Sequence, residues 1–381
     1  MKAIKIFMIM ALSSALAGCS DWLSEDGAPK LTYDYYETKE GVDAAVVSAY
    51  SYLRWGCGGE RFDVLTEMGT DLFIAGSDGN YKASFNMYGT QLNPDLDILD
   101  KMWENHYKGI GTANIGLERI LNSELSESDK KQSYAEMLFI RAFLYFDLVQ
   151  QFGRIPLVTK GSLEVRTDFK RASVEEVYKQ IITDLRECTA NLAPTTKEKG
   201  RATSYAAAHL LAKVYLTRGS AVADKRGQKP TDMDSALYYS EMVIKEGKEY
   251  QLVKDFADLW DINNMGNSEV IFAVQFTNNS IFNDDGNTFH LYWLPVYDDE
   301  PGMQRDINYG RPYKRFRPSE KRCSVYSTVK MTLVSIRVSV GHFFPTTRKQ
   351  FLCGRSWKMA EACILPPILP KDKWKGKKSL H

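Results

Sequence analysis

The sequence predicts a mostly α-helical fold, built of TPR-like helical hairpins with long loops and small β elements. Three observations carry this expectation. Apolar residues recur at helical spacing in six segments between residues 40 and 246. Glycines, prolines and capping residues mark where those segments begin and end. Small residues lie among the apolar positions of successive segments, as in stacked helical hairpins. The repeat is irregular, so the pattern is TPR-like and not a strict array.

The first segment, 40–55, places Val42, Ala45, Val46, Ala49, Tyr50 and Leu53 on one face. Residues 56–100 are rich in Gly, Asn and Asp and read mainly as loop. A second helix is expected over 99–121 and a third over 128–152. In the third, Ala135, Leu138, Ala142, Tyr145, Val149 and Phe152 recur every three or four residues, and Gly153 and Pro156 stop it. The fourth begins at Ser173, where Ser173 and Glu176 make a capping box, and ends before Pro194. The fifth, 203–218, turns Ala207, Leu211, Val214 and Tyr215 inward and has Gly219 at its end. The sixth, 232–246, is expected to be capped by Asp232 and stopped by Gly247. Beyond it Glu269–Phe276 reads as a strand, and 277–320 as loop rich in Asn, Asp, Tyr and Pro.

Of the 381 residues, 44% are hydrophobic, enough for a substantial core. A formal net charge of +1 argues against a general nucleic-acid binder. The near-neutral sum hides an asymmetry. Residues 321–381 hold 13 Lys/Arg and two acids, Glu361 and Asp372, leaving 36 basic and 46 acidic residues before them. The body therefore carries −10 and the tail +11.

The N-terminus reads as an export signal. Lys2 and Lys5 precede an apolar run from Ile6 to Ala17. That run is too short for a bilayer, which needs about 20 residues, and suits a secretory h-region. It ends in Leu16-Ala17-Gly18-Cys19, a bacterial lipobox in which Cys19 takes the lipid. Residues 1–18 are thus expected to be a signal peptide, with the protein anchored and not membrane-spanning. The acidic stretch Ser20–Asp26 that follows resembles a surface-export signal of Bacteroidetes lipoproteins.

Catalytic and metal-binding patterns are not evident. The remaining cysteines, Cys57, Cys188, Cys323, Cys353 and Cys363, form no CxxC pair, so neither a disulfide framework nor a zinc site is expected. No two of His106, His209, His290, His342 and His381 share metal-ligand spacing. Gly109, Gly111 and Gly116 have the wrong spacing for a dinucleotide loop and lie in a predicted helix. Asp284-Asp285, near Asn283 and Asn287, offers oxygen ligands but lacks a full calcium-loop pattern and reads as a solvated turn. No cofactor is expected.

Several segments carry a family likeness. The run Ala135–Val149, with Phe152-Gly153 and Ile155-Pro156-Leu157 after it, resembles the hallmark helix of the SusD/RagB family. Thr66–Asp71, Arg201-Ala202-Thr203 and Tyr309-Gly310-Arg311-Pro312 are similar to other segments of that family, and with the lipobox the likeness covers residues 1–320. The resemblance implies a TPR-like helical region over 19–265 and the start of a C-terminal region over 266–320. It also implies a non-enzymatic, lipid-anchored protein on the outer-membrane surface. Such a protein captures oligosaccharides and delivers them to a SusC-like TonB-dependent transporter, with its TPR-like half facing that partner. A scaffold lipoprotein that binds a protein partner and no sugar is the alternative.

A sugar site needs aromatic platforms beside short polar groups on accessible loops. Two stretches qualify. One runs from Phe73 to Tyr88 and holds Asp78, Asn80 and Tyr81; the other runs from His290 to Tyr297 and holds Tyr292 and Trp293. The expected glycan contacts are Phe73, Asp78, Asn80, Tyr81, Tyr292, Trp293 and Tyr297. Trp55, at a helix end, suits packing better. The tail, 321–381, is expected to be out of frame: charge flips near position 320 and no helical or strand period follows. Codons compatible with Cys323–Phe344, shifted in frame, can encode a mixed-charge segment with spaced aromatics like the family's continuation.

Overall fold

The computed structural model describes residues 33–319, apart from 163–165, 222–225, 278–285, 294–296, 299–300 and 307–309. The expected signal peptide, Cys19 and the acidic stretch after it, the Asp284-Asp285 turn and the basic tail all lie outside the described residues.

The architecture is mostly helical, as expected. After a 3-10 turn at Tyr33–Glu37 come α1 (Lys39–Ser51), a second 3-10 turn (Tyr52–Gly56) and α2 (Glu60–Thr66). Strand β1 (Phe73–Ala75) and a π-helical turn (Lys82–Asn86) precede the long helices α3 (Asp97–Asn122) and α4 (Glu127–Phe152). Then follow α5 (Val174–Asn191), α6 (Ser204–Gly219), α7 (Asp232–Glu246), the short α8 (Phe256–Leu259) and α9 (Phe289–Trp293), and β2 (Phe316–Pro318). Successive long helices pack on one another: α3 on α4, α4 on α5, α5 on α6, α6 on α7.

Local chemistry sets the helix starts. Thr38, Ser126, Ser173 and Thr203 each accept a backbone N–H from the first turn of the helix that follows, and Ser173 completes its box with Glu176. The expected cap at Asp232 is corrected. Thr231 is the N-cap residue, and the Asp232 carboxylate instead pairs with Arg218 of α6 across the hairpin. A bidentate guanidinium partner in the buried α6–α7 interface outcompetes a cap for that carboxylate.

The main core is centred on α4. Ala135, Leu138, Ala142, Tyr145 and Val149 are buried, as the periodicity requires, and so are Met137, Phe139, Ile140, Leu144 and Leu148 on the other faces. A helix buried on every side is a central one. Its two deep charged residues are both paired: Glu136 with Arg201 at 3.3 Å, while Arg141 donates twice to Asp184 of α5 at 2.8 Å and once to Asn114 of α3 at 2.9 Å. Gly109 and Gly116 let α3 approach α4. A Cβ at Gly109 would lie 2.6 Å from Leu144 Cδ1, and one at Gly116 2.4 Å from Met137 Cε.

Two loop expectations hold in the main, each with short elements inside it, and one strand expectation is corrected. Residues 56–100 are loop over more than half their length, and between the loops they hold α2, β1 and the π-helical turn. The region 277–320 likewise contains α9 and β2. The expected strand over 269–276 joins no ladder among the described residues. Its apolar residues pack on the helices instead, with Phe272 edge-on to Phe139 at 5.1 Å. A short apolar run reports burial, which helices can supply as well as a neighbouring strand.

Candidate functional site: an aromatic lobe beside the helical body

The two stretches that the sequence singles out, more than 200 positions apart, meet in one small lobe. β1 pairs antiparallel with β2, in the register Phe73 to Pro318 and Ala75 to Phe316. The α9 segment is tied on by backbone bonds, Tyr313 N to Leu291 O at 2.9 Å and Arg315 N to Tyr292 O at 3.1 Å. Val64, Met68, Ala75, Ile98 and Phe316 form a second, separate core beneath it.

Trp293 is the centre of the lobe. Its indole stacks on Phe316, with centroids 4.6 Å apart and planes 16° from parallel, and meets Phe73 edge-on at 4.6 Å. Its Nε1–H donates to Asp63 Oδ2 at 3.1 Å. Phe289 lies tilted against it, and Tyr292 stacks on Tyr313 at 5.4 Å. Phe73 and Trp293 are therefore half-buried members of a cluster and not free-standing platforms.

The other predicted residues fall at different depths. Asn80 donates to Glu60 at 2.8 Å, and Tyr81 donates to Asp97 at 2.9 Å. Burial first, and then the Asp97 carboxylate, push the Tyr81 phenol above its ordinary value. Asp78 is exposed, while its backbone anchors Lys314 and Arg315. Tyr297 is buried and donates its hydroxyl to Gly310 O. Its ring is therefore withdrawn from the surface. Trp55 packs edge-on to Phe62 and His106, as its place at a helix end suggests.

Tyr88 has the exposure that the others lack: 62% of its surface is open, and its hydroxyl donates to Gly69 O at 3.0 Å. Tyr88 and Tyr81 both have left-handed backbone, at φ +50° and +55°, and bracket the π-helical turn. Such conformations cost about 1–3 kcal/mol in non-glycine residues, and they gather at ligand sites and switch regions. Gly69, at φ +77°, makes room for the turn, because a Cβ there would lie 2.0 Å from Phe85 O.

Sequence reasoning missed Asp63, Tyr313 and Phe316. A signal for the last two was available in the spacing of Tyr309, Tyr313 and Phe316 around Pro312. Asp63 has none, because its burial comes from tertiary packing. It is 5% exposed, and burial pushes its carboxyl up to about 7, with Glu67 and Glu60 adding to the shift and the Trp293 hydrogen bond opposing it.

Comparison with known proteins gives a consistent result. Residues 25–216 match a family model, SusD-like, described as starch-binding and associating with the outer membrane. A SusD-like protein of Bacteroides ovatus is 29% identical over 281 residues, covering 71% of this chain and 50% of that protein. Two relatives from Formosa agariphila are covered to 52% and 53%, so the chain spans about half the length of the curated relatives it matches. Among solved structures, a SusD superfamily protein of Parabacteroides distasonis superposes with a TM-score of 0.63 at 27% identity, over 76% of this chain and 59% of that one. A laminarin-binding SusD-like protein gives 0.65 at 24% identity, over 80% of this chain and 68% of that one. The latter likeness concerns the fold alone.

Proposed function

The chain belongs to the SusD-like family of starch-binding proteins that associate with the outer membrane, and on that footing we propose that its aromatic lobe binds an oligosaccharide. The observation that carries this reading is the convergence of Phe73, Tyr81, Tyr88, Tyr292 and Trp293 on one small lobe, with Tyr88 open to solvent. Flat rings match the apolar faces of pyranoses, and carboxylates and amides beside them suit sugar hydroxyls. Laminarin binding by a protein of the same fold supports the same class of ligand.

Charge narrows the ligand class. Residues 62–100 hold seven acids and one base, Lys82. The paired segment around β2 adds Lys314, Arg315 and Arg317, so the lobe carries both signs of charge and selects no strongly charged ligand. The reading is therefore a neutral oligosaccharide, bound by two or three stacked rings at about 1 kcal/mol each, by analogy with aromatic pairs. Stacking of that size alone supplies millimolar affinity at most, which suits capture and release over catalysis. We further propose that residues 19–265 and 266–320 act as one binding unit, anchored through Cys19 and handing ligand to a SusC-like TonB-dependent transporter.

One observation favours the scaffold reading for a different surface. Leu237, Tyr238 and Ile244 on α7 are exposed by 60%, 64% and 78%. Calorimetry of the full chain against neutral glucan oligosaccharides, laminarihexaose among them, tests the main proposal. Binding that is lost in Tyr88→Ala supports it. No binding to any member of a broad panel leaves the scaffold reading in its place.

A further inference from the structure

A buried carboxyl that is bonded to a residue of a binding face, yet takes no part in the core's ion pairs, is an unused group with leverage. Asp63 is that group. It sits on the inner face of α2, 230 positions before Trp293, and accepts the indole N–H at 3.1 Å. The same indole is fixed on one side by Phe316 and at its edge by Phe73. Three constraints therefore set the plane of this ring, and only one of them is polar. Remove the polar one and the ring is free to slide along the Phe316 face, because stacking is tolerant of lateral offset.

We propose that Asp63 is a positioning residue: it holds the Trp293 indole in the aromatic lobe through the Nε1–H bond, and its protonation state sets how firmly. The proposal rests on the reading of the lobe as a glycan site only for its effect on affinity. The positioning itself is a property of the fold.

The surroundings decide the direction. Glu60 and Glu67 on the same helix are like charges that disfavour the ionised form. From outside α2, Arg315 faces Glu60 at 3.5 Å and so is already engaged. Cys57 is pushed up to about 11 by burial, with Asp147 and Asp63 adding to the shift, so it stays a neutral thiol. Asp147 is in turn partnered by His106 of α3 at 3.4 Å. No cation among these is aimed at Asp63. The neutral acid, bonded through its carbonyl oxygen to the indole, is thus the form the dry site favours. Ionisation, with a midpoint near 7, leaves the indole N–H as the donor facing the carboxylate and makes that bond charge-assisted, so the ring is held more firmly.

The test uses the full chain. The Trp293 indole ¹H–¹⁵N resonance, assigned by its loss in Trp293→Phe, is followed from pH 5.5 to 8.5. It should titrate with a midpoint near 7 in the wild type and stay fixed in Asp63→Asn, whose amide oxygen keeps the hydrogen bond without a titrating proton. In parallel, wild-type affinity for laminarihexaose should tighten about three- to tenfold over the same range. Asp63→Asn should stay flat near the acid value, and Asp63→Leu should bind weakly throughout. A titrating indole in a protein that binds no glucan supports the positioning role and defeats the ligand reading. An indole that does not move in the wild type, or that moves equally in Asp63→Asn, overturns the proposal.

Discussion

The helical body and the aromatic lobe are held together by different means. In the body, α4 is buried on all sides, its one deep cation is matched by a carboxylate, and each long-helix contact is between neighbours in sequence or nearly so. In the lobe, two three-residue strands and a five-residue helix depend on partners more than 200 positions away. A buried carboxyl faces only an indole, and two tyrosines have left-handed backbone. The body is redundant in its contacts and holds such compromises only where helices pair the charges across their interfaces. The lobe accumulates them, and such departures concentrate where a protein binds or switches.

The sharpest way to break the comparison is to attack the body at its charged centre. Arg141→Leu leaves Asp184 buried without its partner, and such a loss costs about 3–5 kcal/mol. Denaturant titration should show the whole body destabilised, with the lobe lost alongside it. A change under about 1 kcal/mol would mean that the body's ion pairs are as dispensable as surface ones.

The lobe should answer to pH through one carboxyl. The folded-state pKa of Asp63 is raised to about 7, so the fold favours its protonated form. Its contribution is complete below about pH 4, is lost as pH rises, and is gone once pH exceeds about 7. The span is on the order of 3–4 kcal/mol at most, since each unit is worth about 1.4 kcal/mol. Melting followed through tryptophan fluorescence should fall over that window in the wild type and flatten in Asp63→Asn. An unchanged slope in Asp63→Asn would place the titrating group elsewhere.

Trp293→Ala comes next. The sequence alone suggests a loop residue that could be cut back with little loss of stability. Stacked on Phe316 and bonded to Asp63, it is instead the middle of a core, and truncation should cost the lobe about 2–3 kcal/mol. Hydrogen exchange resolves whether the loss is confined to residues near β1, β2 and α9. Even loss of protection over α4 and α5 would show the two regions to be one cooperative unit.

The body was legible because its signals are local. Spacing along Ala135–Val149 and the Ser173–Glu176 box identify helices without knowledge of their neighbours. The choice of 73–88 and 290–297 as the ligand face also came from local composition, and the two stretches do meet. The depth of each side chain was not legible. Tyr297 is buried and Tyr88 exposed, although both are tyrosines in polar, loop-like sequence. That difference is fixed by which residues pair across more than 200 positions. The Glu269–Phe276 error has the same root, since its apolar run was covered by helices and not by a ladder.

The smallest effect on stability is the most informative about function. Tyr88 holds a left-handed backbone that glycine adopts freely, so Tyr88→Gly relieves strain worth about 1 kcal/mol or more. Against that stand the lost hydroxyl bond to Gly69 O and added freedom in the unfolded chain, each also about 1 kcal/mol. The net change in stability should fall within about 1 kcal/mol of zero, because a 62% exposed ring buries little area. Oligosaccharide affinity should nonetheless drop several-fold, since a stacked ring is worth about 1 kcal/mol. A residue kept in a strained conformation for packing alone would show the opposite pattern, with stability lost and binding intact. Calorimetry on the one variant, thermal and titration, therefore tells whether the strain at Tyr88 belongs to the fold or to the ligand face.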